Sequence, residues 1–255
     1  MPNRRLLFFI AVHKDAPLPV RSDIFAALGV GGYRPKTSLQ WFSDADGESI
    51  SRKNAQYSEL TGWYWVWKNV TNVDIVGLCH YRRYFFLCPD HPNFTAQKLY
   101  LEPNPDNLAM LTAPAIGCIV EDALANADAV VPRRQNLPSS LTEHYAQFHR
   151  REDWATFIAA IQATSPDLKD EVAWFDGVSR PYWYNMMIAR KPFFDSYMSR
   201  LFALLGWMER ERPFAGHGYQ GRAPAFLAER FFSFFLHATK ARVIEVPVAV
   251  TERTA

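Results

Sequence analysis

Two patterns predict an α/β fold with a mostly parallel sheet. Short apolar runs recur along the chain, and stretches with apolar residues three and four apart separate them. No internal repeat or long linker divides the 255 residues, so a single domain is expected over 1–255. A chain of this length buries about 70% of its unfolded surface and folds without a disulfide or metal staple.

Leu6 to Val12 is apolar throughout, as a strand covered on both faces must be. The run mimics a signal peptide, but it has only seven residues and ends in His13-Lys14-Asp15. It lacks a small-residue cleavage site, so a buried first strand is expected. A stretch punctuated by proline and glycine follows from Pro17 to Pro35. Tyr57, Leu60, Thr61, Tyr64, Trp65 and Lys68 then predict one helix over 53–69. Asp74 to Cys79 reads as a second buried strand that runs into His80-Tyr81-Arg82-Arg83.

Residues 88–110 begin rich in proline and asparagine and read as an irregular excursion or lid. Ala127 to Pro132 is a third strand, and a helix over 141–163 follows with Ser139 or Ser140 as its cap. Tyr184 to Ala189 is a fourth strand, 193–210 and 223–238 are helices, and 242–250 is the last strand. No stretch approaches the roughly 18 apolar residues that a membrane span needs. The 193–210 helix and the run Phe231-Phe232-Ser233-Phe234-Phe235 are expected to pack in the core.

Hydrophobic residues make up 49% and charged residues 21%, which excludes intrinsic disorder. A net charge of +2 is too balanced for a dedicated nucleic-acid binder. Cys79, Cys88 and Cys118 form no C-x-x-C pair, which argues against a disulfide framework and a cysteine-built zinc site and favours a reducing compartment.

Ligands in open α/β sheets sit beyond the carboxyl ends of the strands. That rule selects His13-Lys14, His80-Tyr81-Arg82-Arg83, Arg133-Arg134 and Arg190-Lys191. Such a convergence of basic residues suits a phosphate or diphosphate, whose oxygens match guanidinium forks. Single basic pairs also commonly end strands as solvated loops, but aromatics bracket the 80–83 cluster and would bury its charges.

Asp44-Ala45-Asp46 is a D-x-D that could hold Mg²⁺ or Mn²⁺, although Asp-Gly turns are common in loops. Glu59 sits among aromatics and needs a partner, either as a structural ion pair with an arginine of the 80–83 cluster or as a general base. Glu229-Arg230 lies in an apolar helix, where it is an internal salt bridge or presents a carboxylate to a site. Asn185 closes a turn or holds an acceptor hydroxyl. No G-x-G-x-x-G follows the first strand, and no Walker loop, G-x-S-x-G elbow or H-E-x-x-H is present. Dinucleotide oxidoreductase, P-loop NTPase, serine hydrolase and zincin readings therefore lose support.

The runs Ser49-Ile50-Ser51-Arg52-Lys53-Asn54, Glu59-Leu60-Thr61-Gly62-Trp63-Tyr64-Trp65-Val66-Trp67-Lys68-Asn69 and Gly77-Leu78-Cys79-His80-Tyr81-Arg82-Arg83-Tyr84-Phe85 resemble the exopolysaccharide and capsule biosynthesis family. That family was long catalogued as a domain of unknown function and is now grouped with glycosyltransferases. Val12-His13-Lys14, Asn185-Met186 and Glu229-Arg230 extend the resemblance over essentially the whole chain. Glu48-Ser49 departs from the family's more usual Asp-Asn, which weakens a metal role for that loop.

The resemblance implies a GT-A-like, Rossmann-type fold and a hexosyltransferase that uses a UDP-sugar, with galactopyranose or galactofuranose favoured. The product would be O-antigen, capsule or exopolysaccharide. His13, Lys14, His80, Tyr81, Arg82 and Arg83 would then hold the donor diphosphate without a required metal; Mg²⁺ or Mn²⁺ on Asp44 and Asp46 is the alternative. Glu229, Glu59 and Asp176, in that order, are the candidate bases. Asn54, Trp65, Lys68, Arg133, Asn185 and Arg230 are candidate substrate contacts. The acceptor would be a glycan or lipid-linked glycan, placing the enzyme in the cytoplasm at the inner membrane face, with a peripheral membrane or assembly partner. A non-catalytic carbohydrate- or nucleotide-binding domain is the competing reading. The lack of a dense acidic cluster argues against a nuclease or phosphatase.

Overall fold

The computed structural model describes residues 4–214 and 218–251. The first apolar run forms β1 (Arg4–Val12), with Leu6 to Val12 all buried. β2 (Phe25–Gly29) pairs in parallel on one side of β1, and β3 (Trp41–Ser43) extends that edge. α1 (Asn54–Tyr57) and α2 (Leu60–Asn69) lead to β4 (Val73–His80), parallel to β1 on its other side. Successive strands thus leave β1 in opposite directions, which opens a crevice at its carboxyl end.

β5 (Arg83–Phe85) turns back antiparallel from the end of β4. β6 (Lys98–Tyr100), α3 (Pro105–Leu111), α4 (Ile116–Asn126) and β7 (Ala129–Pro132) follow. α5 (Leu141–Phe148), α6 (Arg151–Thr164) and the short α7 (Trp174–Gly177) precede β8 (Met187–Arg190). α8 (Lys191–Glu211), α9 (Ala223–Ala238), β9 (Val243–Val246) and β10 (Val248–Val250) are the last elements among the described residues.

Among the described residues one ten-stranded sheet runs in the order β3-β2-β1-β4-β5-β10-β6, with β8, β7 and β9 branching from β4. Five of its nine pairings are parallel; β4–β5, β4–β8, β7–β8 and β5–β10 are antiparallel. One face packs on α2, α5, α6, α8 and α9. The other packs on α3, α4 and the segment around Phe86 and Leu99.

The structure corrects several expected elements. The 53–69 helix is two helices, broken at Ser58, whose φ of 49° lies in the left-handed region. The 141–163 helix divides at His149 and Arg150, with Ser140 and Glu143 forming a reciprocal capping box at its start. The 88–110 excursion carries β6, which joins the sheet through β10, and most of α3. The last strand is two, separated by Pro247, which has no N–H to give a ladder.

Residues 105–126 meet the length and hydropathy of a membrane span, at mean hydropathy 1.6. They form two helices instead, interrupted around Pro114, and bury Leu108, Leu111, Ile116, Val120 and Leu124 against the sheet. The 193–210 helix and the phenylalanine run pack in the core as expected: Phe194, Tyr197, Leu201, Phe231, Phe232, Phe234 and Phe235 are all buried.

Candidate functional site

A cleft of about 560 Å³ opens at the carboxyl ends of β1 and β4. β1 delivers His13 and Lys14, and β4 delivers His80, Tyr81, Arg82 and Arg83. The break between α1 and α2 adds Asn54, Ser58 and Glu59. Arg222, which caps α9, and Glu229, two turns further along the same helix face, close the opposite wall.

The break at Ser58 is built from side chains. Asn54 Nδ2 donates to Ser58 O (2.7 Å) and Thr61 Oγ1 (3.0 Å), and Arg222 Nε donates to Ser58 Oγ (2.9 Å). Asn54 packs against Gly31, where any Cβ would lie 2.7 Å from Asn54 Oδ1. Gly31 also has a φ of 68°, so the close approach requires glycine.

Three cleft residues hold one strained turn. Tyr184 and Asn185 have φ of 78° and 49°, a conformation non-glycine residues avoid. Tyr184 N donates to Glu229 Oε1 (3.0 Å), and Asn185 Nδ2 donates to Glu59 Oε1 (2.9 Å). His80 Nε2 lies 2.8 Å from the Tyr184 carbonyl, which can only accept, so Nε2 carries the proton. Burial lowers the His80 pKa, Arg83 and Arg82 lower it further, and Glu59 opposes them. The ring therefore stays neutral at pH 7.

Four cationic side chains, Lys14, Arg82, Arg83 and Arg222, face two carboxylates, Glu59 and Glu229. The excess of positive charge is felt at His13: burial and then Lys14, Arg82 and Arg222 lower its pKa. Arg83 lies 4.9 Å from the Tyr184 ring centroid, and Lys14 and Arg82 each lie 5.8 Å from that of Tyr81. Burial raises the Glu229 pKa, with Glu59 adding to the shift, while Arg230 and the Tyr184 N–H oppose it. The site can thus hold an anion with fixed cations and offers a carboxylate of raised basicity beside it.

The diphosphate candidates, Asn54, Glu59 and Glu229 therefore share one cleft. Asn185 stands behind it as the partner of Glu59 rather than as a lining residue. Glu59 thus meets an asparagine, not an arginine of the 80–83 cluster.

Other candidates lie elsewhere. Trp65 donates through Nε1 to Asp46 O (2.6 Å), and Lys68 sits 3.8 Å over the Trp67 ring beside Glu48. Arg133 donates to the carbonyls of Thr95 and Ala96, and Arg134 pairs with Glu245 (2.7 Å). Arg190 ends β8 and Lys191 opens α8; β8 runs antiparallel to β4 and so carries both to the opposite ends of the strands. Asp176 is exposed on α7, whose Trp174 and Gly177 line a separate cavity of about 890 Å³.

The D-x-D is a structural turn. Asp44 is fully buried and accepts from Gly31 N (2.8 Å), Gly32 N (2.9 Å), Ser51 Oγ (2.7 Å) and Thr61 Oγ1 (2.6 Å). Two donors on each oxygen leave little room for a cation, while Asp46 is exposed. Among the described residues no group of three or more His, Cys, Asp or Glu is placed to hold a metal.

Arg222, Tyr184 and Ser58 were not singled out in the sequence. Arg222 had a signal, since it immediately precedes the helix predicted over 223–238, seven positions before Glu229. The left-handed backbone of Ser58 and Tyr184 had none, because neither is a glycine.

A family model described as "Domain of unknown function (DUF4422)" matches residues 8–240. No curated protein sequence matches the chain. A solved apo structure of the bifunctional glycosyltransferase WbbM superposes with a TM-score of 0.86 at 23% identity. The superposition covers 98% of this chain and 46% of that one, so the chain spans about half of its structural relative. At this identity the likeness is one of fold.

Proposed function

We propose a function from one premise: the chain belongs to the DUF4422 family. In this reading it is a glycosyltransferase that moves a hexose from a UDP-sugar to a glycan in surface-polysaccharide synthesis. Galactopyranose or galactofuranose is the favoured donor sugar, and the acceptor is a glycan or lipid-linked glycan met at the inner face of the cytoplasmic membrane. The observation that carries the reading is the grouping of Lys14, Arg82, Arg83 and Arg222 with Glu229 in one cleft at the strand ends. The fold shared with WbbM supports it.

Transfer requires the anomeric carbon to lose its bond to the diphosphate while an acceptor oxygen attacks. The bonding electron pair leaves with UDP, and the arginines and Lys14 balance the charge that develops there. The acceptor's proton goes to the Glu229 carboxylate, whose Oε1 accepts from Tyr184 N and whose Oε2 lies 3.5 Å from Arg230 Nη1. His80, Glu59 and Asn185 act as positioning residues that hold the Tyr184–Asn185 turn. In this scheme guanidinium groups fill the role that Mg²⁺ or Mn²⁺ fills on a D-x-D.

A thermal-shift screen with UDP, GDP, dTDP and CMP, with and without EDTA and Mn²⁺, tests the donor site. A ligand at 100 times its Kd adds about 2.7 kcal/mol, which moves the Tm measurably. A UDP shift that survives EDTA is expected. No shift with any nucleotide would overturn the donor site, and a shift abolished by EDTA and restored by Mn²⁺ would overturn the metal-free clamp.

A further inference from the structure

Glu229 is a wall shared by two cavities. Beyond it lies a second pocket of about 320 Å³ that also includes Arg230 and is otherwise lined by aromatic rings. Phe148 and Tyr219 stand in it 51% and 59% exposed. His149 lies against Phe226 with ring centroids 4.4 Å apart, and Tyr219 packs on that pair at 5.7 Å and 4.8 Å. The pocket thus presents aromatic faces that none of the described residues covers.

It is also polar in a specific way. Arg230 is only 3% exposed, its guanidinium 4.6 Å from the Trp183 ring centroid and 5.4 Å from that of Tyr145. Nη1 donates to Phe226 O and lies 3.5 Å from Glu229 Oε2, and Nη2 lies 3.5 Å from His144 Nδ1, but Nε is buried with no hydrogen-bond partner among the described residues. His149 Nδ1 is buried without a partner in the same way, although the Gln220 side chain hydrogen-bonds the ring, and burial, with Arg230 nearby, keeps that ring uncharged at neutral pH. Buried polar atoms are normally satisfied, so two orphans beside exposed rings point to a ligand that supplies the partners. That ligand must combine apolar faces with hydroxyl groups. A pyranose ring does so, with C–H faces for the rings and hydroxyls for Arg230 and His149; an alkyl chain would leave the polar atoms unpaired.

We infer that this pocket is the acceptor subsite and takes the terminal sugar of the acceptor glycan. The inference rests on the glycosyltransferase reading and deepens it. The acceptor hydroxyl approaches Glu229 from the aromatic side and the donor carbon from the cationic side. The new C–O bond forms across that wall, the old one to the diphosphate breaks, and Glu229 takes the proton.

Saturation-transfer NMR tests this with the methyl glycosides of galactose, glucose, mannose and N-acetylglucosamine, and with octyl glucoside below its micelle concentration, each in the presence of UDP. Ring protons of at least one glycoside are expected to saturate. The double variant Phe148→Ala, Tyr219→Ala is expected to weaken that binding by ~10-fold, about 1.4 kcal/mol. UDP affinity stays unchanged in that variant, which also shows that the fold is intact. Glycoside signals undiminished in the double variant, no ring-proton saturation in the wild type, or saturation confined to the octyl tail would overturn the subsite. If UDP binds and glycosides do not, the subsite fails and the donor site stands. If glycosides bind and UDP does not, the donor site fails and the pocket stands as a sugar site.

Discussion

Glutamine at position 229 keeps an acceptor for Tyr184 N and removes the proton-accepting carboxylate. Glu229→Gln is therefore expected to lower single-turnover transfer by about 10²–10⁴-fold with UDP affinity retained. Near-normal turnover would remove Glu229 as the base. Because the carboxylate must be ionised to act and burial raises its pKa, kcat/KM in the wild type falls as pH drops through that raised value. Arg82→Ala and Arg83→Ala each remove a charge-assisted contact worth about 1.5–3 kcal/mol, so UDP binding should weaken by roughly ten-fold or more in calorimetry. The identities of these residues were legible as basic groups released by apolar runs. Asp176 is equally visible in the sequence but lies on α7, outside the cleft, because a carboxylate in an aromatic segment says nothing of which cavity it adjoins.

Asp44 shows how a motif is absorbed by local structure. Its four hydrogen bonds tie the ends of β2 and β3 to α2. Asp44→Ala is expected to cost about 3 kcal/mol by leaving those donors unpaired, read as a lower midpoint in urea. Asp46→Ala, at an exposed carboxylate, should leave both stability and UDP binding unchanged. Gly77 pairs with Phe8 in the central strands, and a Cβ there would overlap the Phe8 ring, which stacks on Phe25 at 4.3 Å. Gly77→Ala is expected to destabilise by about 3 kcal/mol, since the stacked ring cannot yield. Long apolar strands and the helices at 193–210 and 223–238 were readable because their periods are unambiguous. β2, β3, β5 and β6 were not, since three to five residues carry too little period to count.

At the scale of the whole molecule, histidines held neutral by partial burial and neighbouring cations set an acid limit on stability. Burial pushes His149 down to about 4, while the unfolded side chain titrates near 6.5. Between those values the unfolded state binds the extra proton, so stability is full above pH 6.5 and declines as pH falls towards 4. His13, His80 and His144 are lowered too and act in the same sense, whereas Glu229 and Asp153 are raised and oppose it. Tm measured from pH 7.5 to 4.5 should fall, and less steeply in His149→Gln. An unchanged slope in that variant would show that His149 is not among the groups responsible.

The sequence by itself determined the fold class, the two apolar strands that become β1 and β4, and the basic residues at their ends. Those features follow from apolar period and from the rule that ligands meet parallel strands at their carboxyl ends, and both are local properties of the chain. Only the tertiary structure decided which basic ends converge. β8 runs antiparallel and carries Arg190 and Lys191 away, while α9 folds over the crevice and brings Arg222 and Glu229 to it. Strand direction and helix packing are settled by burial of faces from distant parts of the chain, so no window of sequence contains them.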